Sequence, residues 1–249
     1  MSICKAAKSQ SHGRGLFRYL RCLRHDVFYA LLHRETGPLE YLGNRSTGFD
    51  WTIRTRGLGP KSIVYSAGVG RDISFEHAIA DRFGSHVILM DPSPTGLETM
   101  GLAENHRPEF TFIPVALAGT KGELHLTPPP NVDEGSWIPE SVDVRDMSEL
   151  QNSITVPCES IITLMERFGH THIDLLKMDI EGSEYEVLDA MLAKGIIVEQ
   201  IAVEFHNSVL AGISRGQTIR MLLRLFFRGY CIIHKGGSNH TLMHQRFIQ

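Results

Sequence analysis

Two closely spaced glycines, three separated carboxylates and one histidine stand just after short apolar runs in this 249-residue chain. In an open parallel sheet, that is where a ligand is met. The glycines belong to Ser66-Ala67-Gly68-Val69-Gly70, which follows the apolar run 62–65. Without side chains, Gly68 and Gly70 let backbone approach a bulky ligand closely. Asp91 follows Gly70 by 21 residues, at the end of the run 86–90. That spacing suits a carboxylate accepting hydrogen bonds from both hydroxyls of a ribose. The competing role is to cap the turn with Pro92 and Ser93. Asp179 closes the run 173–178, and Glu204 and His206 sit two apart where the run 196–205 ends. If strand geometry persists, that spacing points both side chains to one face.

These residue types favour one class of cofactor over another. A dinucleotide site needs a third glycine so that helix and strand can pack beneath a pyrophosphate, and Ile73 stands there instead. S-adenosylmethionine has a ribose and no phosphates, so it needs the acid without the phosphate cradle. Asp72 either meets the ammonium of such a ligand or caps the next helix, since aspartate is a favoured N-cap. Methyl transfer to oxygen requires loss of the hydroxyl proton. His206, with an ordinary pKa of about 6.5, is the expected base and Glu204 the next candidate. The same acids with His206 offer ligands to Mg2+ or another divalent ion that would acidify the acceptor, although spacing alone defines no metal ligand set.

The elements that must carry these residues alternate in type, as in a parallel sheet wound by crossover helices. The pattern predicts strands over 62–65, 86–90, 111–118, 173–178 and 196–205, with helices over 72–83, 161–168, 184–193 and 218–228. Gly84, Gly195 and Gly229 are the helix stops. Residues 230–234 and 240–244, joined by Lys235-Gly236-Gly237-Ser238-Asn239, read as a terminal antiparallel hairpin. Between 127 and 153 the prolines and acids mark a long excursion of the kind that covers active sites. The expected fold is α/β, a doubly wound, Rossmann-like sheet, mostly parallel with a C-terminal antiparallel hairpin.

At this point the residues resemble a family. Residues 175–188, LLKMDIEGSEYEVL, closely resemble the signature of FkbM-type methyltransferases, a strand ending in an Asp-x-Glu-Gly-x-Glu turn. Residues 112–126, FIPVALAGTKGELHL, look like that family's third strand and hairpin, and 201–206, IAVEFH, like its fifth. The resemblance runs in order from about 45 to 245. It implies a class I methyltransferase fold, S-adenosylmethionine as donor, and O-methylation of a sugar, glycan or other small-molecule hydroxyl. It also implies that Asp179 lies beside the methionine end of the donor and that Glu181 helps form the turn; Glu181 and Glu184 equally suit a helix N-terminus. Ser66 stands where the family usually has an aspartate, and Gly119 where an acid is common; Asp72 would supply the missing charge. The resulting cofactor set is Ser66, Gly68, Gly70, Asp72, Asp91 and Asp179, and the catalytic set is His206, Glu204 and Asp179. The alternative, motivated by Ser66, is a non-catalytic module that keeps the fold and binds the cofactor or a partner.

Composition narrows the setting. Hydrophobic residues make up 42% and charged residues 21%, ordinary for one globular domain. The net charge of -3 gives no global reason to expect nucleic acid as a partner. No apolar run reaches the roughly 18 residues of a transmembrane helix, and the N-terminus does not read as a secretory signal. Cys4, Cys22, Cys158 and Cys231 are scattered without metal-site spacing, which suits a reducing, cytoplasmic compartment. Residues 1–35 hold seven basic residues against two acidic ones, a net +5. Leu16, Leu20, Leu23, Val27 and Leu31 recur at helical spacing, so 1–44 is expected to be a basic amphipathic helical extension and 45–249 the methyltransferase domain.

Overall fold

The computed structural model describes residues 27–46, 49–129, 135–140, 152–207 and 213–248. In chain order its elements are β1 (Glu40–Asn44), β2 (Phe49–Ile53), β3 (Ile63–Ala67), α1 (Ser74–Phe83), β4 (His86–Met90), α2 (Pro94–Met100), β5 (Phe110–Ile113), β6 (Ala116–Ala118), β7 (Gly122–Thr127), β8 (Ile138–Pro139), β9 (Ile154–Ser160), α3 (Ile161–Phe168), β10 (Leu175–Met178), α4 (Glu184–Ala193), β11 (Gln200–Glu204), α5 (Arg215–Phe227), β12 (Tyr230–Gly236) and β13 (Asn239–His244).

Near-continuous apolar runs make strands that bury both faces, because helices cover each side of a parallel sheet. The central sheet follows that rule, with seven strands in the order β12-β13-β11-β10-β3-β4-β5. The strands from β11 through β5 run parallel, and β13 runs antiparallel between β11 and β12. Along each strand the side chains alternate between two cores. Tyr65, Ala67, Ile88, Met90, Leu176, Met178, Ile201 and Val203 face one, with Leu164 of α3, Leu188 of α4 and Leu225 of α5. Val64, Val87, Leu89, Leu175 and Ala202 face the other, with Phe75 and Ile79 of α1 and Trp51 and Ile53 of β2. The parallel core and the C-terminal antiparallel hairpin are those expected.

The differences have local causes. The single strand expected over 111–118 is divided at Pro114 and Val115. Proline cannot donate to a ladder, and the chain leaves the central sheet there. β6 instead enters a four-stranded sheet of order β6-β9-β7-β8. The strand expected over 196–205 begins only at Gln200; before it, the Val198 amide donates to the Tyr230 hydroxyl at 2.9 Å. β1 and β2 pair antiparallel, so the expected boundary between residues 44 and 45 falls at a hairpin turn. Of the expected N-terminal helix, residues 1–26 lie outside the described residues, and 27–32 are helical. Val27 and Leu31 of its apolar set are exposed, while Leu32 packs into the core.

Candidate functional site

The glycine turn, the tip of β4 and the tip of β10 meet in one place because β3 lies between β10 and β4 in the sheet. Gly68 has φ +86, and a Cβ there would stand 1.9 Å from the Asp179 carbonyl oxygen, so only glycine lets the two strand tips approach. Gly70 also has positive φ, +56, but faces open space. Together with Asp91 and Asp179 these glycines line one cleft. Four of the six cofactor residues expected from sequence therefore converge.

Asp91 does two jobs at once. Its Oδ2 accepts from the amides of Val69 and Gly70, both at 3.0 Å, and its Oδ1 accepts from Ser93 at 2.8 Å. The last of these is the turn-capping role, and the first two tie the glycine turn to β4. A carboxylate offers about four lone-pair sites, so capacity remains for a ligand hydroxyl.

Ser66 and Asp72 do not line the cleft. Ser66 is the penultimate residue of β3 rather than part of the turn; it is fully buried, and its hydroxyl donates to Glu76 on α1. Asp72 lies one residue before Ile73, the N-cap of α1, and is not the cap itself; its Oδ1 accepts from the Ser74 amide at 2.7 Å in a local turn. The acid nearest Ser66 is thus Glu76, which the sequence reading missed. Glu76 stands 3.8 Å from the ammonium of Lys177, and Lys177 donates to the Gly68 carbonyl at 2.5 Å. Ser66 and Lys177 are register partners in β3 and β10, so the pair sits directly beneath the glycine turn. A charge amid the apolar positions Phe75, Ile79 and Ala80 of α1 was the available signal.

Behind Asp179 the carboxylates gather around His206. The imidazole Nδ1 lies 2.8 Å from Glu184 Oε1, and Nε2 lies 3.3 Å from Glu181 Oε2 and 3.6 Å from Asp179 Oδ1. Glu184, the first residue of α4, curls back so that Oε1 also accepts from the Ile180 and Gly182 amides, each at 3.2 Å. Glu181 has φ +50, the one positive φ outside glycine among the described residues. Such strain tends to gather at functional sites. The pieces of the long excursion that are described reach this point too: Gly135, Ser136 and Trp137 line the cleft, and Ser136 hydrogen-bonds Glu181.

The electrostatics follow from crowding. Burial, then Asp179, pushes the Glu204 carboxyl up to about 7, with His206 opposing. Burial likewise raises Glu181, again against His206. Burial alone would lower His206, but the hydrogen bond to Glu184 and the charges of Glu184, Glu181 and Asp179 push it up to about 10. Carboxylates at both nitrogens thus favour the protonated ring over an imidazole near 6.5. Asp179, Glu181 and His206 also form a group whose potential metal-binding atoms all lie within 4.8 Å of one another. No helix among the described residues is long and apolar enough to cross a membrane.

Residues 62–230 match the model of the methyltransferase FkbM domain. Among solved structures, the Methanococcus jannaschii fibrillarin pre-rRNA processing protein is similar at 11% identity and a TM-score of 0.39, over 85% of each chain. No curated protein matches the chain.

Proposed function

Because the chain belongs to the FkbM methyltransferase family, we propose that it uses S-adenosylmethionine to methylate a hydroxyl on a sugar, glycan or other small molecule. The observation that carries this reading is the convergence of Gly68, Gly70, Asp91 and Asp179 on one cleft beside a buried carboxylate group. The sheet order, with its antiparallel C-terminal strand pair, supports a class I methyltransferase fold. The donor set fits the cofactor: acids without a phosphate cradle suit a ribose and a cationic methionine end. When bound, S-adenosylmethionine supplies an electrophilic methyl group on a sulfonium.

The chain's own residues divide the remaining work. Asp91 receives the ribose hydroxyls while holding the glycine turn, and Asp179 lies toward the methionine end. Trp137 and Ser136 cover the cleft, excluding water and orienting the acceptor. Both nitrogens of His206 face carboxylates, so the imidazole orders this group, and the acceptor proton passes to Glu204 at the tip of β11. The free, buried thiols of Cys158 and Cys231 support a reducing, cytoplasmic setting.

Incubation with S-adenosylmethionine and a panel of hydroxylated glycans and small molecules, read as S-adenosylhomocysteine by mass spectrometry, tests the reading. Product that appears only with a hydroxylated acceptor, and falls about 10²-fold to 10⁴-fold in Glu204→Gln, is the expected result. Tight donor binding with no product from any acceptor would favour the non-catalytic module.

A further inference from the structure

We propose that Asp179, Glu181 and His206 form a divalent cation site, of the Mn2+ or Mg2+ type, at the inner end of the cleft. Asp179 and Glu181 line the cleft, while His206 is buried behind them, 8% exposed. An ion between them would have protein ligands on one side and open positions toward the acceptor on the other.

The geometry is close to what an ion requires. Ligands bonded at about 2.0–2.2 Å to one ion lie within about 4.4 Å of each other, and the three ligand atoms here lie within 4.8 Å. A small contraction brings them onto a shared centre. His206 is placed for it: Nδ1 faces Glu184 at 2.8 Å, which leaves Nε2 turned toward Asp179 and Glu181, where the ion takes the place of the Nε2 proton and releases it to solvent. A carboxylate behind the far nitrogen of a ligating histidine fixes the ring and raises its basicity, and metal sites use this arrangement repeatedly.

An independent observation comes from Glu184 itself. It is fully buried and its Oε1 is directed at the imidazole, yet its second oxygen, Oε2, has no hydrogen-bond partner among the described residues. An uncompensated buried carboxylate oxygen is costly. Positive charge placed on the far side of the ring offsets that cost through the imidazole. Two carboxylates to one imidazole favour a hard, oxygen-preferring ion over copper or nickel.

The chemical use of the ion rests on the methyl-transfer reading. Bound to the acceptor hydroxyl oxygen, the ion would lower that group's pKa, and Glu204 would take the released proton.

Titration of Mn2+ into the full chain without donor, followed by electron paramagnetic resonance of the free ion, tests the site directly. One Mn2+ per chain is expected, displaced by excess Mg2+. Asp179→Asn and His206→Gln should each weaken Mn2+ at least tenfold, and Glu184→Gln, which leaves the three ligands in place, about 10-fold to 100-fold. Circular dichroism melting identifies any variant that fails to fold, and Glu181→Gln replaces it in the series. Wild-type protein that takes up no Mn2+ at millimolar concentration, or Mn2+ held equally well by folded Asp179→Asn and Glu181→Gln, would overturn the site. If Mn2+ is not taken up while the donor still binds and is consumed with a chelator present, the site fails and the methyl-transfer reading stands. Mn2+ uptake without product from any acceptor leaves the site standing and removes the reading.

Discussion

Replacing Lys177 by methionine should destabilise the protein by about 3–5 kcal/mol, the range for removing one partner of a buried ion pair. Lys177 and Glu76 have side chains only 7% and 2% exposed, so water cannot screen what is left behind. In the variant, Glu76 keeps the Ser66 hydroxyl as a donor but loses the neighbouring ammonium. The Gly68 carbonyl loses its 2.5 Å hydrogen bond in the same step. For a chain of this size, 1 kcal/mol corresponds to about 2–4 °C, so the melting temperature should fall by roughly 6–20 °C. Urea denaturation and thermal melting both read this. Adding Glu76→Gln to Lys177→Met removes the stranded charge while keeping a partner for Ser66, so the double variant should be more stable than Lys177→Met alone. Because Lys177 supports the glycine turn, donor affinity should fall in Lys177→Met as well. If the two substitutions lose stability additively, the ion pair beneath the turn does not exist as described and the reasoning fails.

The other expectations concern the same cleft and the buried thiols. Gly68→Ala should cost about 3 kcal/mol or more, from a positive φ and a blocked approach to Asp179, whereas Gly70→Ala should cost about 1–2 kcal/mol, because its Cβ meets open space. Denaturation of the two variants side by side checks the contrast. Trp137→Ala should raise the acceptor KM while leaving donor affinity within a few-fold, as measured by steady-state kinetics and calorimetry; equal losses of both would mean that residues 135–137 shape the whole cleft. Burial raises the pKa of Cys158 and Cys231, so at pH 8 both should react with a disulfide reagent more slowly than in guanidinium chloride. Peptide mapping of the labelled cysteines distinguishes them from Cys4 and Cys22.

Much of this architecture was legible because the signals were local. Runs such as 86–90 are apolar on both faces, and Gly84 and Gly195 stop their helices where periodicity ends. The convergence of Gly68, Asp91 and Asp179 followed from one rule about strand tips in parallel sheets. What escaped depended on contacts distant in sequence. Nothing adjacent to Ser66 shows that Glu76 will reach it from α1, or that Lys177 will sit opposite it in β10. His206 was recognised as part of the site, but its charge depends on Glu184 and Glu181, residues equally suited to a helix N-terminus. The division at Pro114 was visible as a proline, yet the second sheet that receives β6 is completed by β9, some forty residues later.

Calorimetric titration with S-adenosylhomocysteine and, separately, with NAD tests the central claim most directly. One site for S-adenosylhomocysteine and no heat from NAD is the expected result. Removing a charged hydrogen-bond partner costs about 1.5–3 kcal/mol, so Asp91→Ala should bind roughly 10-fold to 150-fold more weakly. Because Asp91 also holds the Val69 and Gly70 amides, the melting temperature of the variant is measured alongside. No binding of S-adenosylhomocysteine to the folded wild-type chain, or equal affinity in folded Asp91→Ala, would contradict the assignment of this cleft.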